Sequence, residues 1–341
     1  MAPQKGNLMT FREDVRVLDC TIRDGGLCND FRFTDDFVRD LYQTNLATGT
    51  DYMEFGYKAS VDLFNPEDFG KWKFCSDEDI YDIVGDNDTN MKISVMADVG
   101  RTDYKRDIRE RSNSPVDLVR VATYVKTIPA AIDMIEHCAK MGYETTCNVM
   151  AVTQARREDL LEALELLGQS PIHTVYIVDS YGSLYPEEIR DISDMYLEKM
   201  DKYGKQVGIH AHNNMQLAFA NTITACANGV SMLDATMNGM GRGAGNCMME
   251  QLMTFLRNPK YQLPPVLRFV EQHMDKLRAE GVKWGYDTPY LLTIATTTRP
   301  TVLIWDTNKE NTHPLPSGLP DGSFLCQFPK NLSVLRQVLC K

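Results

Sequence analysis

Eight short runs of β-branched and apolar residues, at 15–22, 51–56, 91–97, 117–122, 144–150, 174–179, 206–212 and 230–235, alternate with longer amphipathic stretches. That alternation is the mark of βα units laid into a parallel sheet. The intervening stretches carry helix punctuation. In "TDDFVRDLYQTNLATG", Thr34 is placed to cap a helix, Asp35 and Asp36 fall in its first turn and Gly49 stops it. In "REDLLEALELLG", Leu160, Leu161, Leu164 and Leu167 form one helical stripe that ends at Gly168. "YPEEIRDISDMYLEKMDKYG" begins with Pro186, tolerated in a first turn, and ends at Gly204.

Eight such units close into an α/β (β/α)8 TIM barrel, a fold of about 250 residues. The competing fold, a doubly wound open sheet, favours a glycine-rich phosphate turn after its first strand. Here that turn reads "RDGGLCND", without GxGxxG. The expected organisation is a lead-in over 1–14, a metal-dependent barrel over 15–292 and a C-terminal extension over 293–341. The extension shows turn chemistry, no sustained helical period and no assignable role. Residues 98–115, "DVGRTDYKRDIRERSNSP", read as a solvated loop or short helix.

A barrel carries its chemistry at the carboxyl ends of its strands. Unusual polar residues cluster there: "IRDGG" after the first strand, "EFGYK" after the second, "VDSYGS" after the sixth, "HAHNN" after the seventh and "NGMGRGAGN" after the eighth. His210 and His212 stand two apart, so a strand would point both imidazoles the same way. Neutral imidazole is a good ligand for first-row metals, and two imidazoles call for a carboxylate beside them. Asp24 is the candidate, at a point where the first strand runs into two glycines. In a closed barrel the eighth strand lies between the first and seventh, so Asp24, His210, His212 and the loop carrying Asn246 occupy one arc. That loop reads either as a phosphate cradle or as a support from which Asn246 offers an amide oxygen to the ion. Such a donor set suits Mn²⁺, Mg²⁺, Co²⁺ or Zn²⁺. Arg23 reads either as a stabiliser of negative charge on a substrate oxygen or as a salt-bridge residue across the barrel. Asp179, Tyr181, Glu54 and Tyr57, or a metal-bound hydroxide, are candidates for proton transfer; Glu54 and Asp179 read equally well as residues that orient Arg23 or substrate.

The net charge of −11 argues against nucleic acid as a main partner, because phosphate neutralisation needs a basic face. No apolar run is long enough to span a bilayer, and the N-terminus lacks a secretory h-region. The nine cysteines form no CxxC pair and read as buried free thiols of a cytoplasmic protein.

Together, "LDCTIRDGG", "IHAHNN" and "NGMGRGAGN" resemble the DRE-TIM metallolyase superfamily, from about residue 15 to about residue 250. That group includes 4-hydroxy-2-oxovalerate aldolase, 3-hydroxy-3-methylglutaryl-CoA lyase and 2-isopropylmalate synthase. The resemblance implies a (β/α)8 barrel with Asp24, His210 and His212 as metal ligands, Asn246 beside the ion, and Arg23 on the oxygen of a 2-oxo acid enolate. It implies an aldolase (a carbon–carbon lyase) acting on a 2-oxo acid such as a 4-hydroxy-2-oxo acid, with Mn²⁺ as the leading metal. A homo-oligomer and an aldehyde dehydrogenase partner fit the same picture. Three departures stand out. The synthases carry glutamate where this chain has Arg242, the CoA-ester lyases use a loop cysteine where this chain has only Cys247 after Asn246, and the aldolases place a histidine base where this chain has Leu27 and Cys28. A Claisen-type acyl-CoA/2-oxo acid synthase and a catalytically inactive metal-binding partner barrel are the alternatives.

Overall fold

The computed structural model describes residues 11–285 and the backbone of a short antiparallel pair, Thr293–Thr296 with Arg299–Val302. The expectations for residues 1–10 and for the rest of the C-terminal extension lie outside the described residues. Eight parallel strands close into a barrel in sequential order, with the first strand paired to the eighth. They are β1 (Arg16–Asp19), β2 (Tyr52–Tyr57), β3 (Lys92–Asp98), β4 (Leu118–Tyr124), β5 (Glu144–Met150), β6 (Thr174–Asp179), β7 (Gln206–Ala211) and β8 (Met232–Ala235).

Around them run α1 (Thr21–Gly25), α2 (Asp35–Thr48), α3 (Asp77–Val84), α4 (Tyr104–Asp107), α5 (Ile128–Lys140), α6 (Arg157–Gln169), α7 (Pro186–Asp201), α8 (Ala218–Asn228), α9 (Met249–Phe255), α10 (Leu263–Phe269) and α11 (Asp275–Ala279). α2 is capped as its sequence predicts. The Thr34 side chain accepts from the Phe37 amide, and Gly49 closes the helix in the left-handed region at φ 78°. Its inner face buries Phe37, Val38, Leu41 and Tyr42 against the barrel. The connection after β3 holds only the single turn α4 and a 3₁₀ turn at Arg111–Asn113, as its charged composition suggests.

Two expectations are corrected. The first strand ends at Asp19 rather than Ile22, because the Asp19 carboxylate accepts from both the amide and hydroxyl of Thr21 and winds the chain into α1. Arg23 and Asp24 therefore sit on a helical turn, with Gly25 and Gly26 in ordinary helical conformation. Gly168 is not a helix stop: α6 continues to Gln169, and the glycine leaves room for the Tyr203 ring against the helix.

The lumen is layered by the two-residue period of strands. Leu18, Tyr52, Leu118, Tyr176 and Met232 form an apolar cluster separate from the larger strand–helix core. Two residues further along the same strands stand Glu54, Arg120 and Asp234, and on β7 His210 follows Gly208 in the same way. Gly208 is required there, since a Cβ would meet the Tyr176 ring at 2.6 Å. The apolar layer seals the barrel, and the charged layer lies on the carboxyl-end side of it.

Candidate active site

The charged layer is a connected chain of ion pairs. Arg23 Nη1 donates to Asp24 Oδ1 at 2.7 Å and Arg23 Nε to Glu54 Oε2 at 2.8 Å. Arg120 Nη1 donates to the same Glu54 oxygen at 3.0 Å, and Arg120 Nη2 to Asp234 Oδ2 at 2.6 Å. Asp234 Oδ2 in turn meets His210 Nδ1 at 2.9 Å. Arg120 also stacks on Tyr176, its guanidinium carbon 4.3 Å from the ring centre. All these groups are buried, so the alternating signs are what makes their ionisation tolerable.

That chain sets the face His210 shows. With Nδ1 engaged by a carboxylate, the proton belongs on Nδ1 and the Nε2 lone pair is free. His210 Nε2 is buried without a partner and lies 3.9 Å from Asp24 Oδ2. His212, just past the end of β7, brings its equally orphaned Nδ1 to 4.0 Å from the same oxygen. The two ring planes stand 83° apart. Ligand atoms of Asp24, His210 and His212 lie within 4.8 Å of one another, a spacing that one cation could bridge. Two buried imidazole nitrogens with no hydrogen-bond partner beside an ionised carboxylate are what a divalent ion of the borderline class would satisfy. Burial pushes the His212 imidazolium down to about 3, against the pull of Asp24. For Asp24, burial is outweighed by Arg23 and the two imidazoles, and its carboxyl is held well below the usual carboxylate range. Both groups are thus in the protonation state a metal needs.

Asn246 joins this arc. Its Nδ2 donates to Asp24 Oδ2 and to the Met240 carbonyl, and its Oδ1 is buried and unpartnered. The amide therefore meets Asp24 through its nitrogen edge; half a turn would exchange the two edges. The glycines of its loop serve close approach. A Cβ on Gly241 would overlap Asn246 and meet Asp24 Oδ2 at 2.8 Å. The loop's Ala244, Gly245 and Asn246 amides bond to Asn214, Arg242 and Gly239, so they do not form the phosphate cradle considered above.

Of the remaining sequence candidates, Glu54 and Tyr57 lie beside Arg23, and Asp179 and Tyr181 belong to the turn after β6. Both oxygens of Asp179 accept backbone amides, from Ser183 at 3.1 Å and Leu184 at 3.1 Å. It ties the turn after β6, and burial, offset by those amides, raises its carboxyl to about 6. Tyr181 is half-buried, and its carbonyl accepts from Asn214 at 2.9 Å. Glu54 is pinned between two arginines. Tyr57, at the end of β2, is half-buried beside Arg23, and burial raises its phenol. Arg120 and Asp234 went unread in the sequence, although each is a charge in the middle of an apolar strand run, "DLVRVATYV" and "SMLDATM".

Residues 14–276 match the model of the HMGL-like family. A 4-hydroxy-2-oxovalerate aldolase from Bacillus cereus is 28% identical over 249 residues, 73% of this chain and 71% of that one. An oxaloacetate decarboxylase from Mycobacterium tuberculosis is 27% identical over 253 residues, again 73% and 71% of the two chains. Among solved structures, the N-terminal domain of a Bacteroides vulgatus protein described as a candidate aldolase superposes with a TM-score of 0.68 at 28% identity, covering 80% of this chain and 89% of that one. Among the described residues, no helix is long and apolar enough to cross a membrane.

Proposed function

The chain belongs to the HMGL-like family, and on that premise we propose that it is a divalent-metal-dependent carbon–carbon lyase, an aldolase that cleaves a 4-hydroxy-2-oxo acid into an aldehyde and a 2-oxo acid such as pyruvate. The convergence of Asp24 and the two orphaned imidazole nitrogens beside the fixed guanidinium of Arg23 carries this reading. Asp24, His210 and His212 would hold the ion, with Asn246 alongside. Mn²⁺ suits two imidazoles and hard oxygen donors, and Mg²⁺, Co²⁺ or Zn²⁺ are the competitors. A bound ion supplies Lewis-acid polarisation of the substrate's keto oxygen.

The rest falls to the chain's own groups. Nε and Nη1 of Arg23 are held by Glu54 and Asp24, and its Nη2 makes no hydrogen bond among the described residues. That arm is available to an oxygen that gains negative charge as the bond breaks. Because its geometry is set beforehand by two buried carboxylates, little reorganisation is needed when the charge appears. Asp234 fixes the tautomer of His210 and Arg120 fixes Asp234. The free, largely buried thiols among the described residues suit a reducing, cytoplasmic setting, and an aldehyde product suits a dehydrogenase partner.

The test is direct. Purified protein is analysed for metal, stripped with chelator, and assayed for pyruvate release from 4-hydroxy-2-oxovalerate with each of the four ions restored. Release that is lost on stripping and regained with one ion supports the reading. Inactivity on that substrate and on homologous 4-hydroxy-2-oxo acids with all four ions would sink it. Free thiol release from acetyl-CoA would instead point to the synthase reaction.

A further inference from the structure

The proposed cleavage needs a group to take the proton of the substrate's 4-hydroxyl; of the candidates read from sequence, the Tyr57 and Tyr181 phenols are pushed up by burial and the two carboxylates are engaged elsewhere. Asp179 is tied to its own turn and Glu54 to two arginines. One further buried group has a charge with no counter-charge on it. Lys73, in the 3₁₀ turn Lys71–Lys73 after β2, is 8% exposed, and its side chain has no hydrogen bond or ion pair among the described residues. Among the described residues the other buried lysine, Lys58, pairs with Asp77 at 2.5 Å. The Nζ of Lys73 is enclosed by four rings instead, with centroids at 4.4 Å (Phe64), 4.7 Å (Tyr57), 5.0 Å (Phe31) and 5.5 Å (Phe69).

This cage is built against the site. Gly56, at φ 152°, lets the turn press onto the end of β2, where a Cβ would meet Cys75 Sγ at 2.8 Å. Phe31 follows the helix that carries Arg23 and Asp24, and its ring lies over Gly26, where a Cβ would overlap it. Phe31 holds φ 62°, a strained conformation for an aromatic residue, of the kind that persists where surrounding structure demands it. Tyr57, itself one of the four rings, is the one beside Arg23, and it is edge-on to Phe31 at 5.7 Å. Burial without a hydrogen-bond acceptor disfavours the ammonium, and the attraction of the four ring faces for the cation offsets only part of that cost. Burial lowers the Lys73 pKa; Asp98 at the end of β3 opposes the shift and Arg101 adds to it.

We propose that Lys73 is the proton acceptor for the 4-hydroxyl, in the role for which this chain has no histidine after its RDG. This rests on the aldolase reading above. The neutral amine takes the hydroxyl proton and the oxygen's electrons form the aldehyde carbonyl. The C3–C4 bond breaks, its electron pair passes into the 2-oxo acid enolate held at Arg23, water protonates C3, and the ammonium releases its proton to solvent.

Oxaloacetate separates this role from the rest of the site, because losing CO₂ from a β-oxo acid yields the same enolate with no hydroxyl proton to remove. Lys73→Met and Lys73→Arg are compared with the parent protein, with Mn²⁺ restored, on 4-hydroxy-2-oxovalerate and on oxaloacetate, and each is analysed for bound Mn²⁺. Both variants should bind Mn²⁺ like the parent and decarboxylate oxaloacetate within a fewfold of it. Both should lose at least about 100-fold in kcat for cleavage, the usual scale for a general base. In the parent, kcat/KM for cleavage should rise with pH to a plateau reached below the ordinary lysine range, a limb that decarboxylation lacks. A raised KM with kcat intact, rescued by arginine, would overturn the base role in favour of an anion clamp. Equal loss of both reactions or of metal would make Lys73 structural and also overturn it. A parent inactive on both substrates overturns the aldolase reading, and this inference with it.

Discussion

Arg23 and the proposed ligand residues beside it can be separated by experiment because they would fail differently. His210→Ala or Asp24→Ala removes a donor atom from a three-residue cluster, and bound metal should be lost outright by elemental analysis. Arg23→Lys keeps the positive charge next to Asp24 but cannot span Asp24 and Glu54 while leaving a third arm for substrate. It should keep its metal and lose at least about 100-fold in kcat, within the range for removing one oxyanion donor. Equal metal loss would mean that Arg23 serves only to hold Asp24 in place. Asp234 offers a subtler case. Asp234→Asn leaves every proposed ligand in place but weakens the hold on His210 Nδ1, so metal affinity should fall about 10- to 100-fold in a chelator titration. Unchanged affinity would show that packing alone orients the imidazole. That His210, His212, Asp24 and Arg23 meet at one rim was legible in the sequence from their residue types and spacing. Arg120 and Asp234 were not, because their meaning depends on partners more than a hundred residues away or across the barrel.

The strands were the most legible elements. β5 and β6 coincide with the runs read from sequence, and the others differ by one to three residues at their ends. The run at 15–22 misled because "CTI" has good strand propensity, whereas the Asp19–Thr21 hydrogen bonds override it and turn the chain. The glycine-rich loop after β8 is the element whose role the sequence left open, and it yields its own test. Gly241 has no left-handed φ, so alanine is tolerated by the backbone there, yet its Cβ would press on Asn246 and Asp24. Gly241→Ala should fold with a thermal midpoint within a few degrees of the parent and bind metal at least about tenfold more weakly. A full-affinity variant would show that the loop can draw back from the site, and that Asn246 is not held against the ion by close approach. The turn after β6 teaches the opposite lesson. From its place at a strand end Asp179 read equally as a proton-transfer group or as a residue that orients Arg23 or substrate, but its two oxygens are taken up by local amides, a structural use of aspartate in turns.

Across the whole molecule, the buried charges link strands that are distant in sequence. Arg120 on β4 reaches Glu54 on β2 and Asp234 on β8, closing the lumen above its apolar layer. Removing the guanidinium would leave two carboxylates buried with less compensation, which typically costs about 3–5 kcal/mol. Arg120→Met fills much of the same volume, so the loss would be mainly electrostatic. The pH dependence then tells charge from packing. In the parent, burial alone would raise the Asp234 carboxyl, but Arg120 and His210 hold it below its ordinary value of 3.8. Its folded value is below the unfolded one, so its stabilising contribution is present above 3.8 and is lost as pH falls through the folded value. In Arg120→Met that compensation is gone, burial dominates, and the carboxyl takes up a proton at higher pH, relieving the variant as the solution is acidified. Urea unfolding of metal-free parent and variant should therefore show the largest gap near neutral pH and a narrowing gap toward pH 4, about 1.4 kcal/mol for each unit by which the two folded-state values differ. A gap that stays constant over that range would assign the role of Arg120 to its stacking on Tyr176, and the ion-pair chain would lose its claim to order the site.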